Sequence, residues 1–265
     1  MRIVVCVKQV PASNEVALDP KTNTIIRDSR NAVINPFDSH ALEAGLQIKD
    51  QLGAEVSVLS MGIPACEDML RDCVSRGADQ AMLLTDRAFA GADTLATSYA
   101  LSKGVQALGG ADLILCGKMA VDGDTAQIGP ELAQRLGIPH VTDVNWIEAY
   151  ENELIVRREL GSRVQTLRVP LPAVITVTRD LGVPRLPSIA GVLRSASQDI
   201  LVRNAGQIGA DPAQCGLKGS PTQVVKTFLP QRSRNVTEIT GTTEEKCRKL
   251  IDIMKGVRGN GSGNQ

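Results

Sequence analysis

Between Gly117 and Pro130 the chain reads Gly-Lys-Met-Ala-Val-Asp-Gly-Asp-Thr-Ala-Gln-Ile-Gly-Pro, directly after the apolar run Asp112–Cys116. Gly117 removes a side chain where a ligand could approach the backbone, and Lys118 adds a cation beside it. Asp124 and Gln127 have the spacing of a capping box, which would leave the N–H groups of Thr125 and Ala126 facing an anion at a helix start. Thr125 adds a hydroxyl. Asp122 and Asp124 repel phosphate, so they are expected to orient the loop, pair with Lys118 or accept ribose hydroxyls. Pro130 lacks an N–H and delays the regular helix. The chemistry indicated is phosphate or nucleotide binding. The same residues also make an ordinary capped turn with no ligand. A metal at Asp122 and Asp124 lacks a suitably spaced third ligand.

Other chemistries have less to work with. The six cysteines form no Cys-x-x-Cys pair, so zinc ribbons and iron–sulfur clusters have no ligand set. Cys6, Cys66, Cys73 and Cys116 lie in apolar periods and read as core thiols of a reducing, cytoplasmic compartment. His40 and His140 are the only histidines, too few for a Cys–His nucleophile to be credible. Six aromatic rings in 265 residues cannot build a stacking platform, and a net charge of zero argues against nucleic acid. No apolar run reaches the roughly 20 residues of a membrane span. Gly-x-Gly-x-x-Gly and Walker A fingerprints are absent.

The elements that must position the loop alternate strand and helix. Ile3–Val7 is a β-branched run suited to a strand buried on both faces. Asp38 or Ser39 is expected to cap a helix reaching Gly53, followed by a strand over Glu55–Met61. Pro64 opens a second helix with Cys66, Met69, Leu70, Cys73 and Val74 at helical spacing and Gly77 at its end. Gln80–Leu84 is a strand, and Asp93 caps a helix to Leu108. Val16–Arg27 reads as a hairpin excursion. After Gly137 the strands Val144–Glu148, Glu153–Leu160 and Val164–Val169 alternate apolar and polar residues, the pattern of an antiparallel extension. Ala173–Thr178 is buried again. These elements predict a doubly wound, mostly parallel α/β sheet with an antiparallel extension and a C-terminal arm. The expected organisation is a nucleotide-binding domain over 1–183, an extended partner-contacting arm over 184–235, and a final helix from Thr242 or Thr243 with a frayed tail over 236–265. Residues 218–258 carry a local charge of +5, most simply a solvated helix face.

Several motifs in order make the chain recognisable: Val7-Lys-Gln-Val-Pro11, Asn35-Pro-Phe-Asp38, the 117–130 loop, Leu171-Pro-Ala-Val174, Pro184-Arg-Leu-Pro-Ser188 and Gly216-Leu-Lys-Gly-Ser-Pro-Thr222. Over nearly its whole length it resembles the β subunit of electron-transfer flavoproteins. The resemblance implies a Rossmann-like fold, a larger α subunit that holds an FAD, and an adenine nucleotide buried between the loops of the β subunit. That nucleotide is structural AMP in ordinary members, and a second FAD beside an NADH site in electron-bifurcating ones. The implied binding residues are Cys6, Val7 and Lys8; Asn35, Pro36, Phe37 and Asp38; Met61 and Gly62; and Gly117, Lys118, Met119, Ala120, Val121, Asp122, Gly123, Asp124, Thr125, Ala126, Gln127 and Ile128.

AMP-type relatives carry a third acid where Gly123 stands, Asn at Ala126 and Thr at Ile128. The smaller Gly123 and Ala126 leave room for a ligand that continues past its phosphate, which favours FAD with NAD(H), and AMP is the alternative. The resemblance then implies that electrons from NADH divide between the α-subunit FAD, serving an acyl-CoA-type flavin dehydrogenase, and a ferredoxin-type acceptor. No residue has the spacing of a catalytic acid or base. Pro184, Arg185, Leu186 and Ile189 are the implied docking residues, with Ile189 at the position of a leucine anchor.

Overall fold

The computed structural model describes residues 1–12, 32–225, 236 and 238–260. The apolar runs read from the sequence become strands of one sheet. In chain order these are β1 (Arg2–Cys6), β4 (Glu55–Met61), β5 (Gln80–Leu84), β6 (Leu113–Gly117), β7 (His140–Ala149), β8 (Glu153–Leu160), β9 (Arg163–Pro170), β10 (Ala173–Val177) and β11 (Leu201–Arg203). A separate antiparallel ribbon pairs β2 (Gln9–Pro11) with β3 (Ala32–Ile34). The hairpin expected over Val16–Arg27 lies outside the described residues.

The main sheet runs β11-β5-β4-β1-β6-β10-β7-β8-β9. Neighbours from β11 to β7 are parallel, whereas β7–β8 and β8–β9 are antiparallel. The chain winds outward from β1 through β4 and β5, then returns to the other side of β1 with β6. The gap between β1 and β6 is therefore the topological switch point, where doubly wound sheets bind ligands beyond their strand carboxyl ends.

Helices α1 (Pro36–Leu52) and α2 (Cys66–Arg76) cover one face, burying Leu42, Leu46, Met69 and Leu70 against Ile3, Val5, Val58 and Leu83. Helices α3 (Thr94–Ala107) and α4 (Ile128–Leu136) cover the other with Tyr99, Val105 and Leu132. Each such aliphatic side chain contributes roughly 1.5–3 kcal/mol on burial. Asp93 caps α3 by accepting the Ala96 N–H at 3.0 Å. In α2 the ion pairs Arg71–Glu67 and Arg76–Asp72 join residues one turn apart. That helix begins at Cys66, so Pro64 lies in the preceding turn rather than at a first helical position.

Regular structure continues past residue 183, into the stretch read as an extended arm. After β10 the chain forms α5 (Ile189–Ser197), which packs on α2, and β11, which pairs with β5 at the sheet edge. The compact unit so formed runs from Met1 to Gln223. The second unit, Val224–Gln265, contains α6 (Thr243–Asn260). Thr242 and Glu245 close a capping box there: the Thr242 N–H donates to Glu245 Oε2 at 2.9 Å and the Glu245 N–H to Thr242 Oγ1 at 3.4 Å. The helical backbone continues to Asn260, through residues expected to fray, and residues 261–265 are outside the described set.

Candidate nucleotide-binding site

Helix α1 starts at the switch point. Its cap residue is Asn35, with Pro36 at the first helical position, where a missing N–H costs nothing. Neither Asp38 nor Ser39 caps it, contrary to the sequence expectation. Asp38 sits in the first turn, buried, and its carboxylate reaches across to two loops. The Lys8 N–H donates to Oδ2 at 2.8 Å and the Gly117 N–H to Oδ1 at 3.1 Å. Burial pushes the Asp38 carboxyl up to about 7, against the opposing pull of Asn35, these two N–H groups and the Lys8 charge. Gly117 is required: a Cβ there would collide with Asp38 Oδ1 and Phe37.

Asn35, fully buried, completes the junction. Its Nδ2 donates to Met119 O at 2.9 Å, its Oδ1 accepts the Val121 N–H at 3.2 Å, and its own N–H donates to Lys8 O at 2.8 Å. One Asn-Pro-Phe-Asp turn thus ties the carboxyl ends of β1 and β6 together. Phe37 is buried beneath the Arg179 guanidinium, 4.6 Å from the ring centroid.

Beyond this junction the 117–128 loop leaves the body. The expected Asp124–Gln127 capping box does not form. Gln127 itself caps α4, without a side-chain bond, and its Oε1 accepts from Thr94 Oγ1 at 3.4 Å. Asp124 and Ala126 adopt left-handed backbone, φ 50 and 54, and Ala126 is followed by right-handed Gln127. A left-handed residue next to a right-handed one is the backbone pattern of an anion-binding nest. The N–H groups of Thr125, Ala126 and Gln127 find no acceptor among the described residues. Gly123 faces open space, with nothing within 4 Å of the position a Cβ would take. Free backbone donors at a helix start fit an anion such as a phosphate.

The lysines pair differently from expectation. Lys8 Nζ bonds Asp122 Oδ1 at 2.7 Å, and Lys118 Nζ forms an ion pair with Asp143 Oδ1 at 2.6 Å, leaving no Lys118–Asp122 pair. The Lys8–Asp122 pair is exposed enough to exchange for a phosphate at little cost. The side chains of Cys6 and Val7 lie in the core on opposite faces of the sheet, which leaves only their backbone toward the loops. Cys6 stands in register with Cys116, and the hydrogen bond between the two thiols, together with burial, pushes Cys116 well above its usual range. Met61 ends β4, and the Gly62 N–H donates to Leu84 O at 3.0 Å. Ile128 opens α4 and packs on the α3-side core.

The structure therefore gathers the β1, α1 and β6 groups of expected binding residues into one place, with Met61 and Gly62 one strand away. It does not bring Pro184, Arg185, Leu186 or Ile189 there. Leu186 and Ile189 are exposed, and Arg185 turns to Glu43 and Asp50 on α1. Asp143, Arg179 and Glu43 were missed from the sequence, because each acts through a partner on a distant element. No group of three or more metal-type ligands occurs among the described residues, and no described helix is long and apolar enough to cross a membrane.

The Electron transfer flavoprotein domain matches residues 22–206. The chain is 47% identical over 257 residues to the Caffeyl-CoA reductase-Etf complex subunit CarD of Acetobacterium woodii, covering 96% of this chain and 98% of that protein. It is 43% identical to the electron transfer flavoprotein subunit beta of Thermoanaerobacterium thermosaccharolyticum, covering 96% and 98%. To the acryloyl-CoA reductase electron transfer subunit gamma of Anaerotignum propionicum it is 40% identical, again over 96% and 98%. With the nest at the switch point and a match spanning most of its length, the chain belongs to the electron transfer flavoprotein β-subunit family.

Proposed function

We propose that this chain is the β subunit of an electron-bifurcating electron transfer flavoprotein, binding FAD and NADH and working with an α subunit that holds a further FAD. The carrying observation is the nest over Asp124–Gln127 with Gly123 open beside it. Polar side chains at 126 and 128 would close the loop over a terminal monophosphate, whereas Ala126 and Ile128 supply none and Gly123 leaves free space beside the backbone N–H groups. FAD, when bound, supplies the exchange between two-electron and one-electron chemistry. The residues that would hold it are the 117–128 loop, whose N–H groups would bind its pyrophosphate, and Lys8, which would exchange Asp122 for it, while Asn35 and Asp38 tie the two loops together.

The relatives' names support the partner class. Caffeyl-CoA and acryloyl-CoA both stand in the names of reductase complexes, so we assign a flavin-dependent dehydrogenase of acyl-CoA type as one acceptor; the bifurcating reading itself requires a second, low-potential acceptor, which we assign to a ferredoxin-type protein. The cysteines, all free thiols, suit a reducing compartment such as the cytoplasm. The test is to purify the chain with its α subunit and extract the nucleotides. Two FAD per heterodimer are expected. One FAD with one AMP would instead identify the ordinary type, in which the same loop holds a structural AMP.

A further inference from the structure

Helix α5 is apolar on the wrong side for a helix held by its core. Its buried residues are Gly191 and Ser195, while Ile189 and Leu193 stand 85% and 69% exposed, and Leu186 just before it is 85% exposed. Hydrophobic burial therefore does little to fasten this segment, and polar struts take over. Arg194 Nη2 donates to Val74 O at 2.8 Å. Arg71 Nη1 donates to Ser195 O at 2.8 Å and to Gln198 O at 3.0 Å. At the start of the segment, Glu43 Oε2 accepts both the Arg185 N–H and Nε at 2.9 Å, and Oε1 accepts Nη2 at 3.1 Å. Arg185 Nη2 also reaches Asp50 Oδ2 at 2.8 Å.

Glu43 and Asp38 are the two buried carboxylates among the described residues, and both belong to α1. Asp38 is spent on the nucleotide loops, five positions before Glu43. Burial alone would push the Glu43 carboxyl up, but the bonds from Arg185 outweigh it and hold it below its usual range. A buried carboxylate is strongly destabilising without its partner, so the pair forms only with Arg185 in place. The guanidinium is fixed through its planar fork, and the backbone N–H of the same residue is fixed with it. Leu186 follows at once, and Ile189 three residues later.

We propose that Glu43 and Arg185 are the positioning pair of the dehydrogenase-docking surface: the buried carboxylate fixes Arg185 and thereby the outward aim of Leu186 and Ile189. This rests on the reading of that surface as the docking site. Arg185 then acts through its neighbours and does not itself touch the partner. An apolar anchor held in place before contact loses less ordering entropy on docking than a loose one.

The experiment uses the α/β heterodimer with butyryl-CoA dehydrogenase, a flavin-dependent acyl-CoA dehydrogenase, as titrated acceptor. Arg185→Met keeps the length and removes the fork. It is expected to raise KM for the dehydrogenase about tenfold, with kcat at saturation within about twofold and nucleotide content unchanged. Arg185→Lys, a point charge without the fork, falls between. Glu43→Gln is expected to match Arg185→Met, and the double variant to be no worse than either single, because the two act as a unit. Should Glu43→Gln fail to fold, Glu43→Asp, which keeps the charge and shortens the reach, replaces it. An unchanged KM in Arg185→Met overturns the proposal. So does an unchanged KM in the Glu43 variant, since Arg185 would then be acting alone at the partner's surface. Ile189→Ala separates the two layers. If it raises KM and Arg185→Met does not, positioning fails while docking stands. If it leaves KM unchanged, the docking reading fails and the proposal with it.

Discussion

Replacing Asp38 by Asn should make the protein's stability less sensitive to pH, in a direction opposite to that of most carboxylates. The Asp38 carboxyl is buried and raised from its ordinary 3.8 to about 7. The folded state therefore binds this proton more tightly than the unfolded state does. Its contribution to stability is complete below pH 3.8 and is lost progressively as pH rises to about 7. A gap of about three pH units corresponds to on the order of 4 kcal/mol. Asn has the shape of the protonated acid and cannot ionise. Its carbonyl oxygen accepts one of the two N–H groups of Lys8 and Gly117, and its NH2 cannot accept the other. At pH 4 the two proteins should differ by only about 1 kcal/mol, the scale of one hydrogen bond. By pH 8 the advantage of Asp38→Asn should have grown by about 4 kcal/mol. The assay is urea denaturation of wild type and variant at several pH values between 4 and 8, reading the difference in unfolding free energy. A difference that stays flat, or that falls with pH, refutes the reasoning. It would mean that two N–H donors and the Lys8 charge outweigh burial, and that Asp38 is an ionised latch throughout.

Gly123→Asp fills open space, so folding should be unaffected, but the added charge and bulk beside the nest should lower bound FAD at least about tenfold; full flavin content in that variant, with AMP extracted from wild type, would sink the FAD assignment. Asn35→Ala should do the reverse in order of cause: losing the bonds to Met119 O and Val121 N–H costs roughly 2–3 kcal/mol of stability, seen in denaturation, and nucleotide retention falls with it. Thr242→Ala removes one side of the capping box and should cost α6 about 1 kcal/mol, read as roughly fivefold faster amide exchange over residues 243–256.

The parts of this fold legible in the sequence are those decided locally. A strand buried on both faces must be a continuous apolar run, so β1, β4, β5 and β6 could be placed within a residue or two, and the loops at their carboxyl ends with them. The antiparallel extension was equally plain, because one solvated face forces alternation. What failed was any residue whose partner is far along the chain. Asp38 has every local sign of a cap, yet its carboxylate is taken by N–H groups 30 and 79 positions away. Asp124 and Gln127 have the spacing of a capping box, but Thr94 on α3 engages Gln127 and the loop turns left-handed instead. Helix α5 failed for a different reason. Sequence periodicity is read on the premise that the apolar stripe faces inward, and here Gly191 and Ser195 face inward while Ile189 and Leu193 face out. Such a helix reads from sequence as an irregular arm, because its apolar stripe is not the one that packs. Its inward face needs small residues because the α2 backbone is close: a Cβ on Gly191 would overlap Ser75 O. The outward apolar face follows from the same constraint. A segment fastened by arginines to carbonyls and a buried carboxylate can leave its aliphatic side chains free for another protein.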